Sequence, residues 1–365
     1  MVALWVTALF SGALVGAGHV PAALAAENHL TIVEPVPGAQ PGSCNLAETQ
    51  VDANPDSAPT LTMLRTLHSA GNGCDLTPDV GRKGDWLAFS QRPATGQPGD
   101  VVVAPMPRRL SRAIKKTFPV ATASETAPHG DEPKWSPDGR SLALSGCMDA
   151  GCTASQLVVA SGFVAGSRRF NSIRVVLPYD STNRIEVRDP VWVDNTHLLA
   201  LRACSTRPTP CPNVGLYDEI VRVSVADGTF VSEHLTACYQ PASDVDPYIP
   251  AVRDAAVCPN DVPYTADAGS GANPAQLMPS WSTHAQFPVW SPDRTLVAFA
   301  APEAGNGLCP SSSVYTTWVA PMQSNAPAAS SVNTSRVSSS CDATATGHVS
   351  NVAWRFHAYI DDRTN

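Results

Sequence analysis

The sequence predicts an all-β fold, a single β-propeller of four-stranded blades, from three observations: a recurring hairpin, its spacing, and the complementary character of the two chain ends. The hairpin is clearest at residues 132–145, Glu-Pro-Lys-Trp-Ser-Pro-Asp-Gly-Arg-Ser-Leu-Ala-Leu-Ser, which reads as strand, tight turn, strand. Residues 287–300 match it position for position, and residues 189–202 match with a degraded turn. Residues 77–90 are a copy without the tryptophan, and a last copy opens at Asn351-Val352-Ala353-Trp354. Proline before an alternating apolar pair suits the first residue of a strand. Ser-Pro-Asp-Gly then supplies a fixed negative φ, an Asx acceptor and a residue tolerant of positive φ, before an apolar strand resumes.

Aligned on the column Val80, Trp135, Trp192, Trp290 and Trp354, the copies lie 55, 57, 98 and 64 residues apart. Such steps are long for a solenoid and right for blades of about four strands. A large ring at the start of each hairpin can fill the space between neighbouring blades. The long step leaves residues 236–286 as either a sixth, degenerate blade or an excursion over one face. Six blades are favoured, and five with a large insertion is the alternative. The pattern Pro-x-Trp-Ser-Pro-Asp-Gly-x-x-x-Ala-Phe resembles the TolB-like β-propeller repeat over nearly all of the chain after its first thirty residues. That family's usual six blades support the higher count.

Taken in order, residues 1–26 are an apolar run ending in Ala23-Leu24-Ala25-Ala26, expected to be a cleaved export signal preceding a propeller domain at 27–365. No Lys or Arg precedes the run, so an uncleaved anchor is the alternative; Gly12, Gly16, Gly18 and Pro21 argue against a stable spanning helix. No other stretch could span a bilayer. Residues 28–34 and 60–67 read as strands joined by a Pro-rich connection, and they lack an innermost strand of their own. The last copy at 351–354 is an innermost strand without followers, so the two ends are expected to share one blade. The second blade runs from Pro78 through 86–90 and 100–104 to a basic turn at Arg108, Arg109, Arg112, Lys115 and Lys116. The third has strands at Lys134, 142–145, 156–160 and 172–177. The fourth has Val191, 198–201, 216–225 and 229–235, with Ala226-Asp227-Gly228 as a turn. The blade at Pro288 runs to about Val337 through a low-complexity loop at 324–335.

A net charge of −8 and a pI near 5.5 argue against a nucleic-acid partner and do not point to an acidic surface partner. Four lysines against twenty arginines suggest a GC-rich bacterial genome. Ten cysteines form an even set without paired Cys-x-x-Cys spacing, so disulfides are expected and a zinc site is not. On the blade plan, Cys147 with Cys152 and Cys204 with Cys211 fall in loops between second and third strands. Cys44 with Cys74 and Cys309 with Cys341 are expected to join such a loop to the end of the same blade, and Cys238 and Cys258 sit in the irregular segment. Five local bridges are expected, all on the face opposite the Ser-Pro-Asp-Gly turns, where they pin long loops.

His129, His284 and His348 each lie six residues before the tryptophan of their blade, and Glu186 holds the same place before Trp192. Radial repetition would bring them toward the mouth of the channel. Three imidazoles and a carboxylate there suit a divalent metal or general acid-base work. The set resembles the arrangement in a propeller family of pectin-fragment lyases that uses histidines around a metal, without a counterpart to that family's full ligand set. The competing expectation is that these residues bond blade to blade. No catalytic residue is assigned and no other cofactor is indicated. The absence of a Gly-x-Ser-x-Gly elbow excludes the peptidases that carry this propeller as a lid. The intact repeat, without a nucleophile motif or a second domain, leads to the expectation of a TolB-like propeller, secreted or periplasmic by its apolar leader and cysteines and monomeric, that binds a protein or peptide through its disulfide-pinned face without chemistry of its own. A metal-assisted lyase or hydrolase acting on a carbohydrate or other polar substrate at the channel mouth is the alternative.

Overall fold

Apolar residues on alternate and often consecutive positions, punctuated by Gly, Pro, Asp and Ser, build short strands whose backbone groups pair in antiparallel sheets. The computed structural model describes residues 28–35, 43–52, 60–81, 85–93, 99–109, 111–149, 152, 154–204, 219–236, 253–257, 263–267, 275–276, 286–291, 296–302, 315–321, 335–336 and 353–355. The expected export signal, and the side chains of Trp290 and Trp354, lie outside the described residues.

The first three strands are β1 (Asn28–Pro35), β2 (Cys44–Asp52) and β3 (Thr60–Ser69), paired in sequence order. The next sheet holds β4 (Cys74–Val80), β5 (Trp86–Arg92), β6 (Asp100–Pro105) and the short β7 (Phe118–Pro119). It is followed by β8 (Gly130–Trp135), β9 (Ser141–Cys147), β10 (Ser155–Ser161) and β11 (Ser172–Leu177). Then come β12 (Ile185–Trp192), β13 (His197–Cys204), β14 (Glu219–Ser224) and β15 (Phe230–Thr236). A three-stranded sheet of β16 (Arg253–Val257), β17 (Pro263–Asp267) and β18 (Ala275–Gln276) occupies the interval where the period breaks. The last sheet is β19 (Gln286–Trp290), β20 (Leu296–Pro302), β21 (Tyr315–Pro321) and β22 (Ser335–Arg336). Finally β23 (Ala353–Arg355) returns to β1, with His29 opposite Arg355 and Leu30 opposite Trp354.

The architecture is a β-propeller closed by N- and C-terminal strands in one sheet, as the two chain ends led one to expect. The first strand of each sheet faces the ring, and these strands adjoin one another in the order β23, β4, β8, β12, with β16, β19 and β23 adjoining on the other side. The first two sheets touch through one parallel bridge, Cys44 opposite Cys74. Among the described residues no helix is long and apolar enough to cross a membrane.

Three elements differ from the sequence-based expectation. Residues 44–52, read as a Pro-rich connection, form β2, because its inward positions include a charge that is paired: Glu48 is buried against Arg65 at 2.8 Å and His29 at 3.5 Å. The short outer strand β7 was not expected. Proline, expected to open each first strand, lies inside it. Pro78, Pro133, Pro190 and Pro288 all sit within the register shifts of β4, β8, β12 and β19, where one residue is extra relative to the partner strand. A bulge is the other place where a strand tolerates proline, since the ladder there needs no donor.

The aromatic column packs between sheets. Trp135 lies in a cluster with Ala88, Val101 and Val103 of the preceding sheet and Leu142 and Phe170 of its own. Trp192 is likewise packed with Ala143, Leu157 and Val159 of the sheet before it, and its Nε1 donates to the Lys134 carbonyl at 2.8 Å. Val80 plays the same part with Leu46 and Phe89. The Ser136-Pro137-Asp138-Gly139 turn forms as its residues dictate. Gly139 has φ +67°, Gly139 N–H donates to the Ser136 carbonyl at 2.8 Å, and the Asp138 carboxylate accepts from Ser136 Oγ at 2.6 Å and Arg140 N–H at 3.0 Å.

Because Trp192 is 4% exposed and bonded across a sheet boundary, Trp192→Ala is expected to destabilise the chain by about 3–5 kcal/mol, with Trp192→Phe losing about 1–3 kcal/mol for the orphaned carbonyl and lost volume. Urea denaturation of the two variants beside the native chain measures both; a Trp192→Phe variant as stable as the native chain would show that the cross-sheet bond contributes nothing.

Candidate functional site

The bulged first strands place one residue per sheet in the left-handed region, three positions before the tryptophan column: Thr77 (φ 48°), Glu132 (φ 57°) and Asp189 (φ 55°). None is glycine, so each costs on the order of 1–3 kcal/mol of local strain that surrounding bonds must offset. Those bonds run from sheet to sheet. Glu132 N–H donates to Thr77 Oγ1 at 3.2 Å, and Asp189 N–H donates to Glu132 Oε2 at 2.9 Å. Each bulge residue thus holds the backbone of the next with its side chain. Thr77 Oγ1 also donates to the Asp131 carboxylate, which is ion-paired with Arg92, and Ser145 Oγ donates to Glu132 Oε2 at 2.6 Å.

The strands β8 and β12 therefore bring two carboxyls together at the ring. Glu132 is half-buried and Asp189 is 2% exposed. Burial works against charge on Glu132, but hydrogen bonds from Asp189 and Ser145 and the nearby Arg188 guanidinium outweigh it and hold its carboxyl below the ordinary range. Burial, then the charge of Glu132, pushes the Asp189 carboxyl well above its ordinary value. Asp189 carries the proton and Glu132 the charge, as happens when like groups cannot both ionise. Arg188 Nε lies 3.8 Å from both Asp189 Oδ2 and Glu186 Oε1, which spreads the positive charge over the pair and its neighbour. Asp189 is too deeply buried to meet a substrate, and what the arrangement does chemically is share a proton across a sheet boundary.

Of the four residues expected at the channel mouth, two are described. His129 precedes β8 and its Nδ1 lies 2.7 Å from Asp100 Oδ1, the first residue of β6 in the preceding sheet. Glu186 in β12 accepts from Ser155 Oγ at 3.4 Å, the first residue of β10, again in the preceding sheet. The two share one geometry, an outward reach to the third strand of the neighbouring sheet. They bond to their neighbours, not to each other. His284 and His348 lie outside the described residues. No group of three or more His, Cys, Asp or Glu able to hold a metal occurs among the described residues.

Two of the five expected disulfides are described, Cys44–Cys74 and Cys147–Cys152. The second closes the loop between β9 and β10, whereas the first, expected within one blade, spans two sheets, because Cys74 opens β4 of the next sheet directly opposite Cys44 of β2. Both lie at the sheet ends opposite the Ser136–Gly139 turn. For the other three expected pairs, Cys211, Cys238, Cys258, Cys309 and Cys341 lie outside the described residues.

Sequence reasoning missed Glu132 and Asp189. The signal was present: Thr77, Glu132, Asp189 and Phe287 each stand before the proline of their repeat, so the same local bend recurs with a polar residue in three of the four.

No family model and no curated protein matches the sequence. The structure is similar to that of TolB from Acinetobacter baumannii, with a TM-score of 0.54 and 13% identity over 90% of this chain. The match covers 66% of that TolB, so this chain spans slightly less than two thirds of its length. It is similar also to a chain in a nidogen/laminin complex, with a TM-score of 0.54 and 9% identity over 91% of this chain and 100% of that one. An oligogalacturonate lyase in complex with manganese aligns at a TM-score of 0.38 and 13% identity over 75% of this chain and 70% of that one, too distant to bear on chemistry. At these identities the likeness is one of fold.

Because Asp189 is protonated in the folded chain where the unfolded chain has lost its proton, folding takes up a proton and stability falls as pH rises above the ordinary aspartate value of 3.8. Glu132 acts in the opposite sense: its contribution is present above 4.5 and is lost as pH falls below it. Asp189→Asn keeps a neutral donor beside Glu132. Its urea midpoint relative to the native chain is expected to be higher at pH 8 than at pH 5; a difference that does not change with pH would sink the shared-proton assignment.

Proposed function

We propose that this chain is an exported TolB-like β-propeller that binds a protein or peptide through the face carrying its disulfide-pinned loops and performs no chemistry of its own. The observation that carries this reading is how the described face residues are used. His129 and Glu186 each bond to the third strand of the sheet before them, Asp100 and Ser155 respectively, at the position that a metal-binding or acid-base set would have to occupy. Side chains committed to neighbouring sheets stiffen the rim of the ring. The Cys147–Cys152 and Cys44–Cys74 bridges do the same for the loops between strands. Loops already ordered lose less freedom on docking a partner, which favours binding.

Disulfides also favour an oxidising compartment, and they agree with an apolar leader at residues 1–26 that directs the chain to a secreted or periplasmic location. The fold likeness to a TolB supports the family reading, and the hairpin motif supports it independently. Binding by loops at one end of a rigid scaffold is what such a frame does best.

Peptides selected from a random display library against the immobilised chain are expected to slow hydrogen exchange around residues 147–154. The double substitution Cys147→Ser, Cys152→Ser is expected to weaken their binding about tenfold while lowering stability by about 2 kcal/mol. Protection confined to the Ser136–Gly139 end would overturn the assignment of the binding face, and turnover of an oligosaccharide by metal-loaded protein that His129→Ala abolishes would overturn the proposal in favour of the enzymatic alternative.

A further inference from the structure

On the face opposite the disulfides, the turn between β6 and β7 runs through a segment with no acidic residue from 101 to 124 and five cations: Arg108, Arg109, Arg112, Lys115 and Lys116. Two of the chain's four lysines are here, in a protein of net charge −8. All five are exposed. A floppy, solvated turn would show nothing beneath it. This one is fastened at two points from the first sheet. Arg65 of β3, held by buried Glu48 at 2.8 Å, donates through Nη1 to the carbonyls of Arg109, at 2.6 Å, and Arg112. Ile114 is 7% exposed, packed with Leu46, Leu67 and Phe89, and its N–H donates to the Leu67 carbonyl at 2.8 Å. With Ile114 and the carbonyls turned inward, the cations are displayed outward on a backbone that does not have to be ordered on contact.

The next sheet continues the surface. Its turn between β10 and β11 carries Arg168, whose guanidinium lies 4.6 Å from the centre of the Phe118 ring, just beyond Lys116, and Arg169, which donates to the Thr122 carbonyl at 2.9 Å. The same turn presents Val164, 46% exposed and bridged to Arg169. Arg108 shares its charge with Asp85 at 3.3 Å, and Arg112, Lys115, Lys116 and Arg168 have no ion pair among the described residues.

We infer that this face docks on a membrane surface carrying anionic phospholipid headgroups. The cations stand on separate exposed turns of two sheets, which suits a plane of distributed negative charge better than a single anion that needs donors converging on one point. An exposed valine flanked by arginines adds the apolar tip of an interfacial contact. A rigid display suits phosphates at the end of lipids, since the protein loses little freedom on contact. The inference does not depend on the proposed peptide-binding face, and if both hold, the disulfide-pinned loops point away from the bilayer.

The test is flotation of the chain purified from the exported fraction with vesicles of mixed phosphatidylglycerol and phosphatidylcholine, beside vesicles of phosphatidylcholine alone. Native and variant chains carry identical ends, so any contribution of residues 1–26 cancels. Binding is expected only to the anionic vesicles, to weaken as salt is raised, and to fall about a hundredfold in the triple variant Arg112→Ala, Lys115→Ala, Lys116→Ala. The variant's melting curve checks its fold, and Arg168→Ala, remote from the Ile114 anchor, serves if the triple variant is unstable, with a loss of several-fold expected. Equal binding to both vesicle types, or variants that bind the anionic vesicles like the native chain, overturns the inference. Retention on poly-glutamate without binding to vesicles also overturns it and assigns the face to an acidic protein segment.

Discussion

A sheet that is apolar on both sides cannot rest with either side in water, and that constraint governs this molecule. In β9, Leu142 and Leu144 pack toward the preceding sheet while Ala143 packs toward the next, and in β10 the split is Val158 and Ala160 against Leu157 and Val159. All are essentially inaccessible. Each central sheet must therefore be sandwiched between two others. Twisted sheets stacked face to face in succession curve into a ring, and only closure removes the last two bare faces. Everything else, the aromatic wedges, the bulges and the pairing of β1 with β23, serves that stacking.

Much of this was legible in the residues. Trp135 and Trp192 marked where sheets meet, because a ring of that size has few places to go in a two-faced sheet. The Ser-Pro-Asp-Gly turn announced its own geometry through proline, an Asx acceptor and glycine. The strand β2 was not legible, since its alternation is broken by Glu48, and a buried charge reads as a surface residue until its partners, Arg65 and His29, are known to lie on neighbouring strands. The position of the prolines was misjudged for a related reason. A strand start and a bulge tolerate the same residue, and only the cross-strand register separates them.

The candidate site was harder. The spacing that picked out His129 and Glu186 was sound as a statement of equivalence, for the two side chains do the same thing in consecutive sheets. What spacing could not supply was direction: a residue at a repeated position can face the axis or the neighbouring sheet with the same periodicity. Glu132 and Asp189 escaped notice because a carboxyl next to proline looks like a turn residue. Their role depends on a backbone conformation that no side-chain pattern encodes. The chain of bonds from Thr77 to Glu132 to Asp189 shows strain being distributed, one residue per sheet, along the ring.

The partnership of His29 with Arg355 and Leu30 with Trp354 has a consequence for biogenesis. The strand that seals the first sheet, β23, is made long after its partner β1, so the ring cannot close before residues 353–355 have been synthesised. Contacts of such sequence separation are slow to form, so closure of the ring comes late relative to the pairing of neighbouring strands. The latch that makes the closed ring durable is also the contact whose ends must wait longest to meet.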